Sequence, residues 1–115
     1  MENKIIKLRF REENREIFEA IRTGRKTVET RAATERYQNI QPGDTLVLVC
    51  RKDQCIKQIL AVKIFKSITT LLQQYQVQQI HPKLKTEEEL KELYYSFPGY
   101  QAKIAQYGLV AMELG

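Results

Sequence analysis

Apolar residues alternate with cations near the start of the chain, where Ile6, Leu8 and Phe10 interleave with Lys7, Arg9 and Arg11. A period of two marks a strand with one buried and one wet face, so a strand with a basic face is expected over residues 4–10. The next stretch, EENREIFEAIRTG, changes to helical spacing. Ile17, Phe18 and Ile21 share a face, acids open the first turn and Arg22 stands in the last. Gly24 falls where a left-handed residue ends a helix.

Residues 31–41, RAATERYQNIQ, carry no sustained period and read as a mobile loop closed by the turn signature Pro42-Gly43-Asp44. LVLVC (46–50) and IKQILAVKIFK (56–66) are β-rich and are joined by a polar tip, Arg51 to Gln54. They predict an antiparallel hairpin at the centre of a sheet. Ser67 can cap a short helix bearing Leu71, Leu72 and Tyr75. Thr86 with Glu89 forms a capping box for another bearing Leu90, Leu93 and Tyr94, and the IHP between the two helices is turn-like. Phe97-Pro98-Gly99-Tyr100 breaks that helix, a helical turn carries Ile104, and YGLVAMEL (107–114) closes the chain as a strand. Strands and helices do not alternate regularly, so a mixed α+β domain on a small, curled, partly antiparallel sheet is expected. The 115 residues leave room for one domain, 1–115.

Composition adds exclusions. With 43% apolar and 29% charged residues and no biased tract, the chain has the make-up of a globular fold. The first residues are too charged for a signal peptide and no apolar run reaches membrane length, so a cytoplasmic protein without a membrane partner is expected. Cys50 and Cys55 flank the hairpin tip as cross-strand neighbours, expected as free, half-buried thiols. Two cysteines and one distant histidine, His81, fall short of a zinc ligand set, and neither a metal nor a cofactor is expected.

The net charge of +5 is unevenly spread. Residues 1–66 hold 15 Lys and Arg against 9 Asp and Glu, whereas residues 67–115 hold 4 against 5. A basic first part suits a polyanionic partner, and it equally suits a soluble protein of basic pI. The densest cluster is GRKTVETR, Gly24 to Arg31, with three cations around one glutamate. In an extended chain Thr27, Glu29 and Arg31 share one face and Val28 marks the inward side. Glu29 beside Arg25, Lys26 and Arg31 should stay ionised and orient cations rather than act as an acid. Such a group suits a phosphate or a nucleobase edge: Arg31 offers a planar fork, Lys26 a point charge and Glu29 an acceptor for an exocyclic amine. The same residues also suit an exposed ion-pair network.

Gly24, Lys26, Glu29 and Arg31 fill the pattern G-x-K-x-x-E-x-R, which resembles the signature of the ASCH (activating signal cointegrator homology) family, small domains with a PUA-like β-barrel fold. The strand and helix before the motif, the IQPGDTLVL segment, the tyrosine-rich segment containing a proline and the final YGLVAMEL are also similar. The resemblance implies a cleft beside the motif that handles RNA or a nucleotide-like small molecule. Family members include an amidohydrolase that removes an acyl group from acetylated cytidine, and some have been assigned ribonuclease activity. That amidohydrolase has a lysine at the position of Lys26 but a threonine nucleophile where this chain has Glu29. A carboxylate among cations does not replace an activated hydroxyl, so the covalent route does not carry over.

Residues and resemblance together predict a ligand group of Gly24, Arg25, Lys26, Glu29, Arg31 and Tyr37. The alternative is an amidohydrolase or ribonuclease, acting on a modified nucleoside or RNA, with Lys26 and Glu29 as catalytic groups. Tyr37 can stack on a base or pack back on the core. Lys7, Arg9 and Arg11 can extend a phosphate track or form a solvated strand face. Tyr94, Phe97 and Tyr100 read as core residues, with Tyr95 the exception, and His81 reads as structural.

Overall fold

The computed structural model describes residues 3–115. Five strands form one curled sheet: β1 (Ile5–Phe10), β2 (Val28–Ala32), β3 (Thr45–Cys50), β4 (Asp53–Phe65) and β5 (Leu109–Leu114), in the order β1-β3-β4-β5-β2. β1 runs parallel to β3, and the other neighbours are antiparallel. The helices are α1 (Arg15–Arg22), α2 (Ile68–Gln74), α3 (Val77–Ile80), α4 (Glu87–Tyr95) and α5 (Tyr100–Tyr107), with one 3-10 turn at Glu12–Asn14. The architecture is a curled half-barrel with flanking helices, α+β as the order of elements predicts and matching the PUA-like fold that the resemblance implies. No helix among the described residues is long and apolar enough to cross a membrane.

The curl comes from β4. Its first half pairs with β3 and its second with β5, and the register shifts between Ile59 and Ala61 so that Leu60 is an extra residue. A bulge of this kind bends a strand and increases its twist. The bend leaves two cores on opposite faces of the sheet. One holds Ile6, Leu8, Leu46, Leu48 and Ile59 against Phe18 and Ile21 of α1. The other holds Val28, Leu109 and Ala111 against Ile68 and Leu71 of α2, Leu90 of α4 and Ile104 of α5. β5 serves both, with Val110 and Met112 in the first and Leu109 and Ala111 in the second. That division explains the unbroken apolar run LVAM, because side chains of a strand covered on both faces are all buried.

Local expectations hold where a cap or a period specifies them. Ser67 and Thr86 accept from the backbone N–H groups of Thr70 and Glu89, and Gly24 adopts φ 82° after α1. Three boundaries differ. The hairpin turn is only Arg51-Lys52, with Arg51 at φ 53°, because Asp53 and Gln54 already pair with Cys50 and Val49. Cys50 therefore lies opposite Asp53 and Cys55 opposite Leu48, so the two free thiols are diagonal neighbours. A short helix, α3, takes in Ile80, the first residue of the IHP segment. Tyr107 belongs to α5 rather than to the last strand, and the change of direction falls on Gly108. The loop after β2 is anchored, because Ala33 and Ile40 are buried and Tyr37 packs on the first core.

Gly108 has φ 80° and ψ −170°, a region that only glycine occupies readily. A Cβ there would lie 2.4 Å from the Phe65 carbonyl oxygen, whereas at Gly24 nothing lies within 4 Å. Gly108→Ala should destabilise by more than about 3 kcal/mol, strain and clash together. Gly24→Ala should cost only about 1 kcal/mol. Urea unfolding of the two variants measures the difference.

Candidate functional site

β2 is the sheet's terminal strand, hydrogen-bonded to β5 alone. Thr27 and Ala33, just outside it, bond to β5 through Leu114 N–H and the Gly108 carbonyl. The intervening Val28, Thr30 and Ala32 turn backbone groups to the free edge, and side chains meet them. Lys26 Nζ donates to the Val28 carbonyl at 2.9 Å, Thr30 N–H donates to Glu29 Oε1 at 2.9 Å, and Ala32 N–H donates to the Tyr100 hydroxyl at 2.8 Å. Unpaired strand edges otherwise need covering, and here motif residues provide the cover.

The turn at Gly24 places Lys26. Its backbone N–H donates to the Ala20 carbonyl of α1, and the next, from Thr27, to Gln79 of α3. The side chain, 4% exposed, extends between the two elements. Nζ donates to the Ile80 carbonyl at 2.5 Å, which helix geometry leaves without a partner at the end of α3, and lies 3.4 Å from Glu29 Oε1. Burial pulls the Lys26 pKa below the ordinary lysine value, opposed by the Glu29 carboxylate. With acceptors for all three ammonium hydrogens, Lys26 is held as a cation.

Glu29 lies between two cations, since Arg31 is 3.5 Å from its Oε2. Burial acts to raise the carboxyl pKa, but Lys26, Arg31 and the Thr30 N–H outweigh it and leave it below 4.5. Arg31 stays charged, with the Glu29 carboxylate opposing its burial, and its guanidinium lies 6.0 Å from the Phe10 ring centre. Glu29 and Arg31 do share a face, as the alternation predicts. Glu29 on that face is only 5% exposed, and Thr30, on the opposite face, is also buried. With α3, α4 and α5 packed over the edge strand, Glu29 is shut away from water, whereas the Arg31 side chain keeps 30% of its surface exposed.

Two polar atoms in this cluster, Glu29 Oε2 and Arg31 Nε, are buried without a hydrogen-bond partner. Both residues line a cleft of about 600 Å³ whose wall includes Phe10, Tyr94, Phe97 and Tyr100. Tyr100 meets Phe97 edge-on at 5.6 Å and Tyr94 at 6.1 Å, and the Tyr94 hydroxyl bonds Thr30 Oγ1. Burial raises the pKa of both phenols, which stay protonated. Lys26, Glu29 and Arg31 thus converge on one concavity. Gly24 and Arg25 remain on the outer turn, where Arg25 bonds Thr23 Oγ1 and lines no part of the cleft. Tyr37 lines an adjoining groove.

Tyr94 belongs to the second core and Tyr100 packs against it, as expected, and both also line the cleft together with the exposed Phe97, whereas Tyr95 does not. Their spacing of three, straddling Pro98-Gly99, was the available signal. His81 also lines the cleft. Burial and the Lys26 charge lower its pKa, which favours the neutral imidazole.

A curled half-barrel of PUA-like type with a buried, charge-bearing cleft defines the class of protein. The ASCH domain profile matches residues 14–115, and the chain belongs to that family. Its fold is similar to the crystal structure of hypothetical protein PH0355, with TM-score 0.81 and 24% identity over 96% of each chain. It is also similar to the solution structure of protein PF0455 from Pyrococcus furiosus, with TM-score 0.67 and 24% identity over 99% of this chain and 96% of that one. No curated protein matches the chain.

Removing Glu29 leaves two cations facing each other, whereas removing Lys26 leaves a carboxylate still paired with Arg31. Glu29→Gln should therefore destabilise more than Lys26→Met, by about 3–5 kcal/mol, and the double variant should cost less than the sum. Urea unfolding of all four proteins closes the cycle. A carboxyl with a lowered folded pKa contributes stability at neutral pH that is lost as pH falls below 4.5. The loss of stability between about pH 6 and about pH 3 should be shallower in Glu29→Gln than in the parent protein.

Proposed function

We propose that this protein binds single-stranded RNA by taking one unpaired base into the cleft between β2 and the α4–α5 corner. The observation that carries the reading is a pair of buried atoms without a hydrogen bond, an acceptor on Glu29 and a donor on Arg31, on two residues that line one aromatic-walled cleft. Leaving such atoms unpaired costs about 1–3 kcal/mol each, so their persistence calls for an account. A base edge that presents an exocyclic amine beside a ring nitrogen satisfies both. Unstacked bases in single-stranded RNA offer such edges and a flat face for aromatic side chains. The family is generally RNA-binding, and the cleft volume suits one nucleoside.

Binding is favoured over catalysis by the state of Lys26. Its ammonium is engaged by two carbonyls and Glu29, which leaves no lone pair to act as a base. Glu29, ionised between cations, is likewise a poor general acid.

Arg31→Ala should weaken binding of a short unstructured oligoribonucleotide roughly ten- to a hundredfold, the loss of one charge-assisted hydrogen bond. Fluorescence anisotropy at fixed salt reads it. Affinity equal to the parent protein in a folded Arg31→Ala variant would sink the proposal.

A further inference from the structure

Beside the cleft lies a second concavity of about 390 Å³, lined by Lys7, Leu8, Arg9, Arg31, Arg36 and Tyr37. It holds four cations and no carboxylate. Arg9 and Arg31 line both concavities, so the two share a wall. We propose that this groove is a phosphate-binding subsite that holds the sugar-phosphate backbone of the strand whose base enters the cleft. The inference rests on the RNA reading above.

The groove follows from the local structure on either side of it. Ile6 and Leu8 turn into the first core, so the alternation of β1 sends Lys7 and Arg9 to its other face. Across from them, the loop after β2 presents Arg36. Its guanidinium donates to the Lys7 carbonyl at 2.9 Å and lies 5.1 Å from the centre of the Tyr37 ring. Tyr37 in turn packs on the first core. An exposed arginine would otherwise sample many rotamers, and ordering it on binding costs conformational entropy. Here a carbonyl and an aromatic face hold it before any ligand arrives.

Among the described residues, neither Lys7, Arg9 nor Arg36 lies within 4.0 Å of a carboxylate, and the partner of Arg31, Glu29, belongs to the cleft. Several other surface cations have acids attached, including Arg15 with Glu12 and Asp53, and Arg22 with Glu19. Arg11, which the alternation also placed on this track, departs from it: it lines the cleft and pairs with Glu13 at 3.5 Å. Like charges gathered in one concavity repel, and an anion relieves the repulsion. A phosphodiester is the anion that must accompany an RNA base, and arginine forks match its oxygens.

The test compares the parent protein with a Lys7→Ala/Arg36→Ala double variant on two ligands: a short oligoribonucleotide and the same sequence with uncharged methylphosphonate linkages. For the natural strand, the slope of log affinity against log salt should become shallower by about 0.7 for each cation removed. Affinity for the uncharged strand should be the same in both proteins. An unaltered slope in the double variant, with Arg31→Ala still defective, overturns the phosphate subsite and leaves the base cleft standing. No binding of either strand by the parent protein overturns both. Equal weakening on both ligands also overturns the subsite, since the two side chains would then support the groove rather than contact phosphate.

Discussion

A terminal strand leaves every second backbone N–H and C=O without a partner, and in β2 those groups face the interior. Lys26, the Glu29 carboxylate and the Tyr100 hydroxyl meet them. The rest of the region depends on this arrangement. Covering the edge with charged side chains allows α3, α4 and α5 to close over β2, which buries the charges. Burial is tolerable only because the cations flank the anion, since an isolated buried charge costs far more than a satisfied cluster. The motif therefore holds the edge strand in place while it forms the floor of the cleft.

The cluster is asymmetric in how fully it is satisfied. Lys26 and Glu29 Oε1 face inward and have partners. Glu29 Oε2 and Arg31 Nε, on residues that line the cleft, have no hydrogen bond, and Oε2 has only the Arg31 guanidinium at 3.5 Å. A stabilising network would engage every atom, so the incomplete side marks where the protein departs from maximum stability, which is where binding sites are usually found. The aromatic corner of α4 and α5 and the basic groove of β1 meet at this point from opposite sides. On the proposed reading, base and backbone are held by separate elements joined at Arg9 and Arg31.

Much of the fold was legible because it rests on local rules. Alternation identified β1, and capping residues identified α2 and α4. The turn residues at Gly24 and Pro42-Gly43 marked the ends of segments. The order of elements pointed to a curled α+β sheet. Pairing partners were less accessible: nothing near residue 5 or residue 28 says that β1 lies parallel to β3 at one edge and β2 at the opposite one. Boundaries failed where a tertiary contact decides them, as at Gly108, whose missing side chain makes room for the Phe65 carbonyl.

For the site, the sequence by itself determined the charge set and its geometry along one strand: Glu29 and Arg31 on a common face, with Lys26 delivered by a glycine turn. Those relations follow from the two-residue period and from backbone sterics, which need no long-range partner. Only the tertiary structure decided that the set is buried, because exposure depends on which helices cover the edge, and α3, α4 and α5 come from the other half of the chain. It also decided that Tyr94 and Tyr100, packed in or on the second core, line a cleft as well, together with the exposed Phe97. An aromatic side chain has the same local signature in either place, and only the packing around it distinguishes a filled space from an open one.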